Sequence, residues 1–229
     1  MSEPIQRRAF LKGLGAGSVA AAVPSHAATP APAASAPVTQ GYTFLTPPEA
    51  AFVEAAVNQF VPADELTPNG TQCGLAVFID RQLAGAWGSG DRLYMQGPWR
   101  KGTPSQGYQL PLTPAEFFRA GLAAANAHCT KTYQKEFDRL TSAQQTQVLK
   151  GLENGSIVFE VLPAKEFFEL LLATTMQGFF ADPLYGGNRD KVAWKMIGYP
   201  GVIAVYSEHI KNYRNRKYDA EPVSIPDLS

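Results

Sequence analysis

Three positions in the chain carry the same helix-start signal, a threonine followed three residues later by Glu or Gln. In such a capping box the threonine hydroxyl accepts a hydrogen bond from the first turn, and the Glu or Gln side chain reaches back to the threonine N–H. The boxes are Thr46-Pro47-Pro48-Glu49, Thr113-Pro114-Ala115-Glu116 and Thr141-Ser142-Ala143-Gln144. The sequence therefore predicts a mainly α protein, a single compact helical domain with little or no β structure.

Apolar residues near these starts recur at intervals of three and four, which gives each predicted helix one apolar face. They are Val53, Ala56, Val57 and Phe60 behind the first box, Phe118, Gly121, Leu122 and Ala125 behind the second, and Leu75, Phe78, Ile79 and Leu83 in a stretch between the two. In that intermediate stretch we expect Asp80 and Arg81 on the polar side.

Residues 163–180 differ, because Phe167, Phe168, Leu170 and Leu171 leave this stretch almost no polar face. It is predicted to be the central buried helix. The preceding apolar run, Ser156 to Val161, is too short for periodicity to decide between a strand and an approach to that helix.

The amino terminus has the parts of an export signal. Arg7 and Arg8 are followed by Phe-Leu-Lys, a Gly/Ala-rich apolar stretch and small residues ending at Ala27 and Ala28. Residues 1–27 are therefore predicted to be a twin-arginine signal peptide, cleaved after Ala27 or Ala28 and recognised by the twin-arginine translocase. This route carries folded cargo, so the mature chain is expected in the periplasm.

The rest of the chain divides by composition. Residues 28–40 are an Ala/Pro-rich linker, residues 41–218 the helical domain, and residues 219–229 a C-terminal tail. The chain has 20 basic and 20 acidic side chains, so it has no basic field to hold a phosphate backbone. Nucleic acid is therefore excluded as a partner.

Two Gly/Pro-rich stretches, residues 87–111 and 182–201, are longer than ordinary connections and rich in aromatic residues. Trp, Tyr and Arg contribute most of the binding energy in protein interfaces. The predicted partner contacts are Trp87, Tyr94, Trp99, Arg100, Tyr108, Tyr185, Trp194 and Tyr199. The alternative is that these rings fill the core of the domain itself.

No catalytic, cofactor-binding or metal-binding residue is predicted. The histidines outside the leader, His128 and His209, stand alone, and the chain has no Cys-x2-Cys pair and no phosphate-binding glycine loop. Asp64 and Glu65 are interpreted as solvated or turn-forming. An enzyme that uses His128 or His209 stays as the weakest hypothesis.

The two cysteines, Cys73 and Cys129, would meet an oxidising compartment after export, so a disulfide between them is the first interpretation. Two buried thiols, or one thiol bonded to a partner, stay open as alternatives.

Several segments carry, in order, a resemblance to one family. They are residues 61–65 (VPADE), 78–85 (FIDRQLAG), 97–99 (GPW), 182–188 (DPLYGGN) and 194–201 (WKMIGYPG). Together they resemble the gluconate 2-dehydrogenase subunit 3 family. That resemblance implies a non-catalytic small subunit of a periplasmic sugar or sugar-acid dehydrogenase, peripheral to the inner membrane through its complex.

The same resemblance implies the cofactors and partners. FAD is expected in a large subunit of the glucose-methanol-choline type, and haem c in a multihaem cytochrome c partner, with no cofactor in this chain. The small subunit is expected to stabilise the flavin subunit and to escort it through twin-arginine export. The alternative is a free-standing periplasmic helical binding domain. The sequence does not name the sugar.

Overall fold

The computed structural model describes residues 41–100, 102–103, 106, 109–203 and 205–228. The predicted signal peptide with Arg7 and Arg8, the linker 28–40 and Tyr108 lie outside the described residues.

The described part of the chain is mainly helical, as predicted. Its α-helices are α1 (Pro47–Phe60), α2 (Leu75–Ala84), α3 (Pro114–Tyr133), α4 (Ser142–Glu153), α5 (Ala164–Phe180), α6 (Val192–Ile197) and α7 (Ser207–Asn212). Short 3-10 turns lie at Phe137–Arg139, Pro183–Tyr185, Arg189–Lys191 and Ile225–Leu228. Within the described residues the β pairing is a single parallel bridge between Gly201 and Val223. None of the helices described is both long enough and apolar enough to cross a membrane.

All three capping boxes form where the sequence predicts them, at the starts of α1, α3 and α4. The Thr46 N–H donates to Glu49 Oε2 at 2.8 Å, and the Thr113 N–H donates to Glu116 Oε2 at 2.8 Å. In α4 the Thr141 N–H donates to Gln144 Oε1 at 3.0 Å. Since these bonds join residues three apart, the local sequence alone is enough to fix each helix start.

Helix α5 is the central element, packed against α1, α2, α3, α4 and α6. The Phe167 ring is fully buried and meets the Phe118 ring of α3 at a centroid distance of 6.1 Å. Gly121 of α3 makes this approach possible, because a Cβ there would lie 2.1 Å from the Phe167 ring. The predicted central helix is thus confirmed, and a glycine sets its distance from α3.

One side of α5 nevertheless faces solvent. Glu166, Glu169, Ala173, Met176 and Phe180 lie along this exposed side. The sequence prediction of an almost fully buried helix is wrong for this stripe, because no neighbouring helix covers it. Its last two members, Met176 and Phe180, are apolar, and they lie beside the second aromatic stretch, residues 182–201.

Asp80 is the main correction to the predicted helix faces. The sequence assigns it to the polar side of α2, but it is only 3% exposed. Its carboxylate accepts hydrogen bonds from the backbone N–H groups of Thr43, Phe44 and Leu45 at 2.8 to 2.9 Å. These three N–H groups precede α1 and have no helical partner, so the buried carboxylate replaces the water they would otherwise bind.

The run from Ser156 to Val161 forms no strand but an irregular connection that leads into α5, which is the second of the two predicted alternatives. Val158 and Val161 are exposed, while Phe159 turns inward toward the Phe167 ring. The single aromatic ring therefore anchors this loop.

Candidate functional site

The second aromatic stretch, residues 182–201, is folded tightly onto the ends of α2 and α5. Asn188 is fully buried in its middle. The Asn188 side chain donates to the Ala181 carbonyl at 2.9 Å and accepts from the Ala193 N–H at 2.9 Å, which ties the end of α5 to the start of α6. Its φ of 45° is left-handed, a conformation that asparagine adopts more readily than most residues.

Close backbone contacts hold the same stretch against the helical body. A Cβ at Gly187 would lie 2.2 Å from the Gly178 carbonyl oxygen of α5, and one at Gly74 would lie 2.2 Å from the Gly186 carbonyl oxygen. Arg81 of α2 also donates to the Leu184 carbonyl at 3.2 Å. The Gly-Gly pair is therefore explained by close packing against α5 and Gly74.

The chain end reinforces this arrangement. The buried Asp182 carboxylate accepts from the Leu184 N–H at 2.9 Å and from the Ile225 N–H at 2.8 Å. The backbone of Val223 pairs with that of Pro200 and Val202. Although residues 219–229 look like a tail in the sequence, residues 222–228 pack on the folded domain.

A charged contact holds the last turn in place. The Asp227 carboxylate accepts from Lys191 Nζ at 2.8 Å and from the Ser224 N–H at 2.7 Å. The hydrogen bond from the Lys191 ammonium group, followed by those from Ser224, holds the pKa of Asp227 well below its ordinary value. The carboxylate therefore stays ionised at any physiological pH.

Two of the predicted contact residues belong to the interior. Trp194 is 4% exposed, and its indole N–H donates to the Phe180 carbonyl at 2.9 Å. Trp87 is half-buried and packs edge-to-face on Phe118 at 6.5 Å. For Trp194 the structure matches the alternative interpretation, because its ring fills the core. Trp87 packs on the core while part of its side chain stays exposed. The aromatic pattern alone could not separate them from their exposed neighbours.

The other predicted residues of the second stretch face solvent. Tyr185 is 48% exposed and Tyr199 is 43% exposed, the latter with one side of its ring against Trp194. Several exposed apolar side chains accompany them on α5, the 3-10 turns and α6. We call this set the C-terminal apolar surface, formed by Met176, Phe180, Leu184, Tyr185, Met196, Ile197 and Tyr199.

Exposure in the first aromatic stretch varies in the same way. Tyr94 is 72% exposed and Arg100 is exposed, while Trp99 is half-buried. The exposed surface of Tyr94 and Arg100, and the exposed part of Trp99, leave these side chains available for an intermolecular contact. The Gly97-Pro98 peptide bond in this stretch is cis.

Both cysteines are free thiols in the structure, which differs from the predicted disulfide and matches the alternative of two buried thiols. Cys73 Sγ donates to the Pro68 carbonyl at 3.3 Å. Burial raises the pKa of each thiol to about 11, and at Cys73 the nearby Arg189 partly opposes this shift. Thiols in such surroundings are protonated and pack as small apolar groups.

Two of the residues weighed for chemistry, Asp64 and His209, have structural explanations. Asp64 Oδ1 accepts from the Leu66 and Thr67 N–H groups at 2.8 Å each, so Asp64 forms a turn. The His209 ring packs against Tyr213 and Tyr218. In the part of the chain that the structure describes, no three His, Cys, Asp or Glu side chains are grouped so that they could hold a metal ion.

The fold and the exposed surface together define a class of protein, a small helical domain with an exposed apolar surface. Comparison with known families gives the particular assignment. The model of the family Gluconate 2-dehydrogenase subunit 3 matches residues 47–201 of the 229-residue chain. The chain belongs to this family, which makes it an accessory subunit of a dehydrogenase complex of that type. No curated protein and no solved structure matches the chain.

Proposed function

We propose that this chain is the non-catalytic small subunit of a periplasmic FAD-dependent sugar or sugar-acid dehydrogenase, and that its C-terminal apolar surface binds the large flavin subunit. One observation carries the proposal. Seven of the 17 large hydrophobic side chains that are exposed among the described residues belong to this surface, all between Met176 and Tyr199. Such a concentration marks a contact surface, whereas apolar residues scattered singly need no explanation.

Buried, hydrogen-bonded residues beneath this surface hold its backbone in place, which favours binding. Asn188, Asp182 and Trp194 fix the backbone that carries Tyr185 and Tyr199. A surface that is already ordered loses little conformational entropy when a partner docks, so more of the contact energy appears as affinity. Exposed tyrosines on a rigid backbone are typical of interface hot spots.

Tyr94, Trp99 and Arg100 of the first stretch are proposed as a second contact to the same partner. Their residue types match those that contribute most at interfaces.

Export is the second part of the proposal. Arg7 and Arg8 belong to the predicted twin-arginine signal, and the twin-arginine route exports folded proteins. No cofactor site is identified in this chain. We therefore propose that the flavin subunit binds this chain in the cytoplasm, after loading FAD, and crosses the membrane with it. A multihaem cytochrome c then receives the electrons, and the assembled complex lies at the periplasmic face of the inner membrane.

The docking proposal is tested by purifying the tagged chain from its native membrane and recording its absorption spectrum. The wild-type chain should bring flavin and haem with it. The double variant Trp99→Ala/Tyr185→Ala should lose the flavin signal, because two aromatic anchors are removed. The control Leu66→Ala/Val158→Ala removes exposed apolar side chains outside the proposed contact and should keep it.

Each result has a definite meaning. A fully active, flavin-containing complex with the Trp99/Tyr185 variant would disprove this position of the interface. A wild-type chain that purifies alone, as a soluble monomer without flavin or haem, would favour a free-standing binding domain. Flavin or turnover in the isolated polypeptide would disprove the non-catalytic role.

The export proposal has its own test. Replacing Arg7 and Arg8 by Lys keeps the charge but removes the arginine pair, so both this chain and the flavin subunit should remain in the cytoplasm. Normal periplasmic dehydrogenase activity in that variant would disprove the escort role.

A further inference from the structure

Helix α7 turns an apolar face toward solvent. The N–H of Ile210 donates to the Tyr206 carbonyl and that of Tyr213 to the His209 carbonyl, so the helical geometry extends over residues 206–213. Tyr206, Ile210 and Tyr213 follow one another at helical spacing and are all exposed. Surface helices normally bury such a face against the core, whereas α7 makes few contacts with the other helices.

The same segment concentrates positive charge. Residues 205–218 contain Lys211, Arg214, Arg216 and Lys217 and one acidic residue, Glu208 in the first turn of α7, although residues 41–229 as a whole carry 17 basic and 19 acidic side chains. The ion pair of Lys217 with Asp219 is long, at 3.9 Å, and both side chains are more than 80% exposed, so it neutralises little. The other three basic side chains have no carboxylate partner among the described residues.

Ring packing holds the segment together without covering its apolar face. The Tyr213 and Tyr218 rings meet edge-to-face at 4.7 Å, and His209 meets Tyr218 at 5.3 Å. The same segment therefore exposes both its basic side chains and its apolar side chains to solvent. We call residues 205–218 the basic aromatic segment.

We propose that the basic aromatic segment binds the surface of an anionic phospholipid bilayer. Tyr206, Ile210 and Tyr213 would enter the boundary between headgroups and acyl chains, and the four basic side chains would lie among the phosphates. Basic amphipathic helices with tyrosines at the interface bind membranes in this way. The segment follows the region 47–201 that matches the family, so this contact goes beyond the proposed docking of the flavin subunit.

The arrangement of the charges favours a bilayer over an acidic protein. The four cations lie along α7 and the turn that follows it, and all are exposed. Phosphates cover the whole surface of an anionic bilayer, so they can pair with these cations at any spacing. A protein partner would need four carboxylates at matching positions. The exposed apolar side chains of the same segment need an apolar medium, which the same bilayer supplies.

Sedimentation with vesicles tests the proposal, using the full mature chain together with any subunits that purify with it. The wild-type protein should bind vesicles of phosphatidylcholine mixed with phosphatidylglycerol, and should not bind phosphatidylcholine alone. Replacing Lys211, Arg214, Arg216 and Lys217 by Gln should lower the partition coefficient by about a thousandfold. Ile210→Ser/Tyr213→Ser should also lower it, because the apolar contact is lost while the charge is kept.

A matched control makes the same charge change elsewhere. Replacing Lys131, Lys135, Arg139 and Lys150, all exposed on or near α3 and α4, by Gln should leave vesicle binding unchanged. Circular dichroism should show that every variant keeps its helical content. Equal loss of binding in both quadruple variants would show a nonspecific charge effect and would overturn the proposal.

Two further outcomes would also overturn it. One is vesicle binding by the α7 quadruple variant that equals the wild type. The other is loss of the flavin subunit from that variant, which would assign the segment to an acidic protein partner. Failure of the docking proposal would instead appear in the Trp99/Tyr185 variant, which should still bind vesicles, so the two proposals fail separately.

Discussion

The Asp182 carboxylate accepts a hydrogen bond from the backbone N–H of Ile225, 43 residues further along the chain, at 2.8 Å. The same carboxylate caps the 3-10 turn that begins at Pro183. One buried side chain thus joins the end of α5, the second aromatic stretch and the C-terminal segment. The C-terminal apolar surface depends on this connection.

Asp182→Ala should lower the free energy of unfolding by about 2–3 kcal/mol, because the N–H groups of Leu184 and Ile225 lose their acceptor. Urea titration measures this loss, and limited proteolysis should show earlier cleavage near residues 214–217. The control Asp91→Ala removes an exposed carboxylate and should change stability by less than about 0.5 kcal/mol. Equal stability of the two variants would contradict the role given to Asp182.

Docking of the last turn should depend on pH through Asp227. Its folded-state pKa is held below the unfolded value, first by Lys191, so the ionised carboxylate stabilises the folded turn at neutral pH. That stabilisation should be present above about pH 4 and lost as the pH falls through the folded pKa. Hydrogen-exchange protection of the Val202 and Val223 amides, corrected for intrinsic rates, reports it. Asp227→Asn should weaken the hydrogen-exchange protection of these amides at neutral pH. In that variant the protection should no longer decrease when the pH is lowered.

Gly121→Ala should destabilise the domain by about 1–3 kcal/mol, because the added Cβ would overlap the buried Phe167 ring. This cost should exceed the gain of about 1 kcal/mol that Ala brings to a helix. Thermal unfolding measures the difference, with Gly41→Ala as the control, since a Cβ at Gly41 meets nothing within 4 Å. If Gly121→Ala were as stable as the wild type, α3 and α5 could not be as close as the structure shows.

The two thiols should react slowly with a thiol reagent in the native protein and both should react once it is unfolded, without reductant. Burial and their raised pKa values make the reactive thiolates scarce. Protein isolated from the periplasm should also unfold at the same midpoint with and without reductant. An unfolded sample that releases no thiol until it is reduced would show that Cys73 and Cys129 are bonded there.

Alkaline pH should destabilise the domain through the same thiols. Because folding raises their pKa from about 9 to about 11, the folded state favours the protonated form. Their contribution to stability is complete below about pH 9 and should be lost as the pH rises to 11. Comparing the pH dependence of the urea midpoint with that of Cys73→Ala/Cys129→Ala isolates this contribution, which the double variant should lack.

Short-range signals predicted the helices well. The boxes at Thr46, Thr113 and Thr141 gave three helix starts correctly, since each involves residues only three apart. The periodic apolar positions of α1, α2 and α3 are buried almost throughout. Helix propensity and apolar periodicity depend on residues within one or two turns of the same helix. Tertiary packing therefore does not change what they predict.

The surface was predicted less completely. The sequence indicated both aromatic stretches, yet it could not tell Trp194, which is buried, from Tyr199, which is exposed. The basic aromatic segment was not predicted, because the sequence alone could not show that no helix among the described residues covers its apolar face. Exposure depends on which elements come to lie against a residue, and those elements are distant in the chain.

The sequence by itself determined that the chain is helical, where its main helices begin and which family it belongs to, because capping, periodicity and ordered motifs are properties of neighbouring residues. Only the tertiary structure decided that Asp80 and Asp182 are buried and that the chain end closes over the second aromatic stretch. Buried carboxylates need donors, and here most of those N–H groups come from segments more than 30 residues away.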